Sequence, residues 1–185
     1  MAQTPSNMLA LGTKAPDFEL TDSISGNSFK LNELTGNKGT LIIFMCNHCP
    51  FVIHVIDEVV RIANDYRVQG IGIIAISSND IEKYPQDAPE LMYEFAFKNK
   101  MDFPYLYDDT QQVAKDYDAA CTPDFYLFDA QNQLVYRGQL DDSRPMNGIS
   151  VSGSDLRNAI DSIVYNRHLN EVQKPSMGCS IKWKK

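Results

Sequence analysis

Thr40-Leu41-Ile42-Ile43-Phe44-Met45 runs directly into Cys46-Asn47-His48-Cys49-Pro50. The first six residues are apolar and partly β-branched, the signature of an interior strand. From Pro50 to about Val68, apolar residues recur at helical spacing. Two cysteines three apart at a helix start share one face. The unpaired N–H groups and positive dipole end of a helix favour a thiolate there. The junction therefore has the arrangement that a reversible dithiol/disulfide switch requires.

The rest of the chain bounds that reading. With 185 residues and 43% hydrophobic content, one domain can build a real core. The formal net charge of −7 argues against a nucleic-acid or anionic-membrane partner, since both reward a basic surface. Lys182-Trp183-Lys184-Lys185 reads as a solvated tail. No run approaches the ~18 apolar residues of a membrane span. Met1 to Leu20 lacks the basic and apolar regions of a secretory signal, so a cytoplasmic location is the expectation. Four cysteines (Cys46, Cys49, Cys121, Cys179) are too few for a disulfide scaffold, and in a reducing compartment disulfides are catalytic or transient.

Residues 1–12 read as a loose lead-in. Ala15 to Leu20 alternates like a strand, and Ser25-Gly26-Asn27 turns it into a hairpin partner at Ser28 to Leu31. Asn32 to Thr35 reads as a helical turn. The strand at 40–45 precedes a helix from Cys46 to about Gln69, ended by Gly70. Ile71 to Ile76 is a second continuous apolar run. Strand, helix, strand in this order is a βαβ unit, so the central strands should be parallel and covered on both faces. A polar loop (77–89), a helix (about Pro89 to Asn99), a strand (Phe103 to Tyr107) and a helix (Thr110 to Tyr117, capped by Thr110 or Asp109) follow. Asp124 to Phe128 and Leu134 to Gly138 form an antiparallel hairpin, 141–153 a polar loop, and a Ser154-capped helix runs to about Arg167. The predicted architecture is a single α/β domain over 1–185, a central mixed sheet flanked by helices with an N-terminal β-hairpin.

A strand–CxxC–helix unit, then a Thr-Pro opening an antiparallel hairpin, then a last helix, resembles the thioredoxin fold. Gly12-Thr13-Lys14-Ala15-Pro16-Asp17-Phe18-Glu19-Leu20 and Leu31-Asn32-Glu33-Leu34 resemble the start of its peroxiredoxin branch, the alkyl hydroperoxide reductase and thiol-specific antioxidant group. Four blocks resemble the CxxC-bearing members of that branch: Cys46 to Pro50, Ile76 to Asp80 with Tyr84-Pro85, Ala120 to Phe125, and Pro175 to Trp183. The last implies that the tail, 168–185, docks on the domain.

The resemblance implies that Cys46 is the attacking thiolate and that Cys49 resolves the mixed disulfide. As the more N-terminal and more exposed sulfur, Cys46 should sit nearest the helix N–H groups and have the lower pKa. His48 occupies the slot that histidine fills in an oxidising C-P-H-C motif, where an imidazole stabilises the thiolate, although Asn47 replaces the stiff proline. The bland alternative points His48 into solvent. Pro50 suits the first helical turn and His54 reads as structural. Thr122-Pro123 matches the cis-proline loop that faces the CxxC and lets an incoming peptide pair like an added strand. Cys121, two residues earlier, is either a third redox thiol or a buried packing residue. Thr40 occupies the slot of the buried thioredoxin carboxylate and Val52 that of some exported relatives, leaving Asp124 and Glu58 as candidate proton acceptors.

Three functions compete. The first is dithiol–disulfide exchange through Cys46 and Cys49 with protein or low-molecular-weight thiols and an unidentified electron donor, by a monomer or weak dimer without cofactor or resident metal. The second is peroxide reduction through Cys49. The branch uses P-x-x-x-T/S-x-x-C and a distant Arg, but Ile42 and Cys46 fill the first two slots here, and neither Arg137 nor Arg144 can be assigned as the third. The third is copper or zinc binding by Cys46, Cys49 and a nearby His or Cys121. A zinc finger would need a second CxxC or a C-x₂-C…H-x₃₋₅-H pattern, and His48 and His54 lie too close to Cys49. Cys179 is expected to be packed and dispensable, with Cys46 and Cys49 sufficient for turnover.

Overall fold

A seven-stranded mixed sheet runs through the computed structural model, which describes residues 3–169 and 172–185. Its interior strand β4 (Gly39–Phe44) is buried at every position. β4 pairs in parallel with β5 (Ile71–Ser77) on one side and antiparallel with β8 (Asp124–Asp129) on the other, and β5 pairs in parallel with β6 (Tyr105–Tyr107). The hairpin β2 (Glu19–Asp22) and β3 (Ser28–Lys30) closes one edge, and β9 (Leu134–Gly138) closes the other.

The two-residue period of the strands builds two cores, one on each face. Leu41, Ile43, Ile73, Ala75, Phe125 and Leu127 face the helices α2 (Pro50–Arg67), α3 (Pro89–Lys98) and α5 (Ser154–Val164). Ile42, Phe44, Ile74, Ile76, Tyr126 and Phe128 face the layer that holds Leu31 of α1 (Leu31–Leu34) and Val113 and Ala114 of α4 (Gln112–Asp116). Strands buried on both faces read as unbroken apolar runs, which is why 40–45 and 71–76 were recognisable.

Several boundaries differ from expectation for identifiable reasons. The lead-in is not loose where it is described. Gln3–Pro5 form β1, paired antiparallel with β10 (Met177–Ser180), which pairs in turn with β7 (Cys121–Thr122). Met1 and Ala2 of the lead-in, and residues 170 and 171 of the tail, lie outside the described residues. The strand expected from Ala15 begins only at Glu19. The helix expected from Cys46 begins at Pro50 and ends at Arg67, because proline is suited to the first helical position and disfavours helix in the residue before it. Cys49, with φ −69° and ψ 122°, is accordingly the N-cap.

The strand expected at 103–107 spans only Tyr105–Tyr107, and α4 is shorter than 110–117. Beside α4, Thr110 accepts a hydrogen bond from the Gln112 N–H (3.2 Å), whereas Asp109 bonds Lys184 (2.6 Å). Asp108 accepts the Ala114 N–H (2.9 Å). Ser154 is the first residue of α5, not its cap. The N-cap is Gly153, and the Leu140 carbonyl accepts from Asp155 and Leu156. The polar loop 141–153 is organised by buried Asp141, which accepts the N–H groups of Ser143, Ser152 and Gly153.

Ile43, fully buried in the sheet interior, tests this arrangement. Ile43→Ala is expected to lower unfolding stability by about 2–5 kcal/mol in urea titrations. A loss below about 1 kcal/mol would show that β4 is not a packed interior strand.

Candidate functional site

The central register delivers the CxxC to the Thr122-Pro123 loop. Phe44 pairs with Asp124 on one side and Ile76 on the other, and Met45 N–H extends the pairing to the Ile76 carbonyl (2.9 Å). Cys46 follows at once. Its Sγ lies 3.6 Å from Thr122 Oγ1, and Cys49 Sγ lies 3.1 Å from the Thr122 carbonyl oxygen, to which its thiol form donates. The Thr122–Pro123 peptide bond is cis. One residue therefore meets both sulfurs of the motif.

The helix N-terminus falls on Cys49, not Cys46. Cys49 caps α2, its carbonyl accepting the Ile53 N–H (3.0 Å). Its thiol pKa is pulled down to about 5. The hydrogen bond from the Cys46 thiol is the largest cause, opposed by burial and aided by Cys179, Thr122 and the Val52 N–H. The Cys46 thiol is pushed well above its ordinary value by its bond to Cys49, by burial and by the neighbouring carboxylate of Asp87. The two sulfurs thus hold one proton between them near neutrality, with the negative charge at the helix end. Nor does exposure separate the two: both are buried, Cys46 at 1% and Cys49 at 0%.

The carboxylate missing from the Thr40 and Val52 slots is supplied elsewhere. Asp87 ends a single 3₁₀ turn, Pro85–Asp87, and is fully buried. It accepts from Asn47 N–H (2.9 Å) and Asn79 Nδ2 (2.8 Å), and its Oδ2 lies 2.7 Å from His48 Nδ1. Asn47 also donates through Nδ2 to the Gln86 carbonyl (2.9 Å) and accepts the Tyr105 hydroxyl (3.0 Å). His48 does not simply face solvent. Its ring stacks on Tyr84 with centroids 5.6 Å apart, and its Nδ1 lies 3.9 Å from Cys46 Sγ. The signal for Asp87 was faint, one of three acidic residues (with Asp80 and Glu82) in a Pro-containing loop, ten residues beyond the end of β5.

The two expected acceptors are occupied elsewhere. Asp124 lies against Arg137 (3.3 Å) and the Tyr126 hydroxyl (3.1 Å), and burial raises its pKa. Glu58 binds Arg61 (2.7 Å) and Arg157 (2.6 Å). Arg137 also donates to the Asp118 carbonyl and sits over the Tyr126 ring, while Arg144 donates to the Asp141 and Ser143 carbonyls and to Gln139. His54 bonds Ser143 (2.7 Å), as a structural histidine would.

The other two cysteines separate. Cys121 points its Sγ at the Pro123 carbonyl (3.7 Å), and burial raises its pKa far above the ordinary thiol range. Cys179 joins the apolar cluster that contains Cys46 and Cys49, and burial, with the neighbouring Cys49 sulfur, raises its pKa. Cys46, His48 and Asp87 also bring one ligand atom each within 4.8 Å of one another, a group that could hold a divalent cation.

The AhpC/TSA family matches residues 11–137. An uncharacterized conserved protein from Geobacillus kaustophilus has 56% identity to this chain and a TM-score of 0.97, over 100% of this chain and 97% of the other. A hypothetical protein from Sinorhizobium meliloti 1021 has 44% identity and a TM-score of 0.95, over 98% of each. Among curated relatives, the thiol-disulfide oxidoreductase ResA of Geobacillus kaustophilus is 29% identical over 71% of this chain and 70% of its own length. The thioredoxin domain of a Bacteroides vulgatus thiol-disulfide oxidoreductase shares the fold at 22% identity, with a TM-score of 0.66. With its sheet order, its CxxC at the β4–α2 junction and a family match covering more than half its length, the chain belongs to the AhpC/TSA family of the thioredoxin superfamily.

Proposed function

We propose that the protein is a thiol–disulfide oxidoreductase that exchanges electrons through Cys46 and Cys49. The single observation behind this is the convergence of both sulfurs on Thr122, one at its hydroxyl and one at its carbonyl. That geometry allows a proton to be handed over. When Cys46 passes its proton to Cys49, the new Cys49 S–H donates to the Thr122 carbonyl, and the Cys46 thiolate keeps the Thr122 hydroxyl as a donor. Cys46 then attacks the substrate disulfide, forming a mixed disulfide and expelling one substrate thiolate. Cys49 loses its proton and attacks Cys46 Sγ, so the Cys46–Cys49 bond forms, the second substrate thiolate leaves and two electrons have passed to substrate. Run backwards, the same steps oxidise a dithiol.

Protein thiols or low-molecular-weight thiols are the substrate class, with a separate electron donor restoring the dithiol. We take the chain to act as a monomer or weak dimer. We take the location to be cytoplasmic, where a disulfide is usually catalytic or transient, and cell fractionation would test it. No helix among the described residues is long and apolar enough to cross a membrane.

Peroxide reduction through Cys49 is the second reading, favoured by family membership and by the low pKa at that sulfur. It lacks a peroxide-orienting hydroxyl in the Cys46 position, and both candidate arginines are bonded elsewhere. Turnover with peroxide is therefore expected to be weak beside insulin reduction. Cys46→Ser should abolish insulin reduction, and a variant that retains it would remove Cys46 from the reaction.

In the reduced protein, ultraviolet thiolate absorbance should rise with a midpoint of about 5 and report one sulfur until well above pH 9. Cys49→Ser should remove the step near 5 and leave Cys46 to titrate separately at higher pH, because burial and Asp87 still oppose its thiolate. Persistence of the low midpoint in that variant would place the thiolate on Cys46.

A thiolate held in the folded state stabilises the dithiol over the disulfide. The reduction potential of the pair should therefore lie above the value of about −270 mV known for thioredoxin. Equilibration against glutathione measures it, and a value at or below that figure would refute the electrostatic account.

A further inference from the structure

Cys179 is a thiol near the CxxC that dithiol exchange does not use. It lies in β10 directly opposite Thr122 of β7, the residue that contacts both Cys46 and Cys49. Helix α2, whose N-cap is Cys49, packs on β10. Cys46, Cys49 and Cys179 all belong to one buried cluster.

This placement is enforced from both sides. Gly178, just before Cys179, presses so closely on the Thr122 carbonyl oxygen that a Cβ there would collide with it. Ser176 donates to the Pro123 carbonyl (2.7 Å). Beyond the strand, Ile181 N–H bonds the Ala120 carbonyl (3.1 Å), and Lys182 N–H bonds Asn79 Oδ1 (2.8 Å). Cys121 is excluded from the same role. Neighbouring residues of a strand point to opposite faces, and its sulfur lies against the Pro123 carbonyl, outside the cluster that holds the other three.

We propose that Cys179 is a third redox thiol of this site, exchanging with the Cys46–Cys49 disulfide to give a Cys49–Cys179 disulfide and a free Cys46. The inference rests on reading Cys46–Cys49 as a dithiol/disulfide pair. In the oxidised protein Cys179 gives up its proton and its sulfur attacks Cys49 Sγ. The Cys49–Cys179 bond forms, the Cys46–Cys49 bond breaks, and Cys46 leaves as a thiolate that takes up the proton. No electrons enter or leave, so no further oxidant is needed. The oxidised protein then stores its disulfide beneath the site while Cys46 is again a nucleophile. Cys49 becomes the hub of two alternative bonds, one towards the loop that carries Asn47 and His48 and one towards the docked tail.

The test uses the full chain. Cys46→Ser is treated with diamide, quenched in acid, alkylated and mapped by mass spectrometry without reduction, alongside the native chain. The expected result is an intramolecular Cys49–Cys179 disulfide that consumes two of the three remaining thiols at a rate independent of protein concentration. The native chain should yield both Cys46–Cys49 and Cys49–Cys179, and Cys179→Ser only the former. Retention of all three thiols, a Cys49–Cys121 bond, or intermolecular dimers alone would overturn the proposal, provided the native chain still forms Cys46–Cys49. Absence of Cys46–Cys49 in the native chain would instead overturn the dithiol reading, and this proposal with it. Should the serine variant not fold, Cys46→Ala presents the same three thiols.

Discussion

The site hangs on the double pairing of β4. Hydrogen-bonded to β5 on one side and β8 on the other, and packed on both faces, this strand cannot slide by a residue without turning its apolar side chains to the wrong core. The same register that aligns Phe44 with Ile76 and Asp124 sets Cys46 beside Thr122 and starts α2 four residues later. Sulfur chemistry that depends on ångström distances is thereby tied to a strand paired on both sides and buried at every position. The loops that complete the site are fastened to it by Asp87 below Asn47 and His48, and by the tail strand beside Thr122.

Electrostatics divides the two sulfurs more sharply than accessibility does. Both are almost wholly buried, so desolvation opposes a thiolate on either. The difference lies in what surrounds them. Cys49 has the helix end and several donors, whereas Cys46 has a buried carboxylate nearby. Thr122 works in both directions, its hydroxyl able to serve a thiolate and its carbonyl only a thiol. A pair so arranged can exchange one proton at small cost, which suits a reaction in which each sulfur is in turn nucleophile and leaving group.

Much of this was legible in the chain. Apolar runs at 40–45 and 71–76, a CxxC between strand and helix, and a Thr-Pro before the last hairpin specify the fold by periodicity and punctuation. The misplaced helix start was also readable, because Pro50 marks the first helical position and makes its predecessor the cap. That single shift moves the favourable helix end from Cys46 to Cys49. Asp87 was not readable, since its importance comes from contacts with residues 8 and 40 positions away. The strand at Gln3–Pro5 was hidden for a similar reason. Three residues with no alternating pattern become a strand only because β10 offers them an edge.

That three-stranded patch of β1, β10 and β7 unites the two ends of the chain over the buried sulfurs. Of the strands that line the site, β10 is the last to be synthesised, after β4, α2 and the Thr122-Pro123 loop have all been made. On the ribosome, therefore, the CxxC has its floor before it has its roof. Until β10 has been made, the cysteines stand more open than in the folded protein, and the pairing of β10 with β7 is what closes them in.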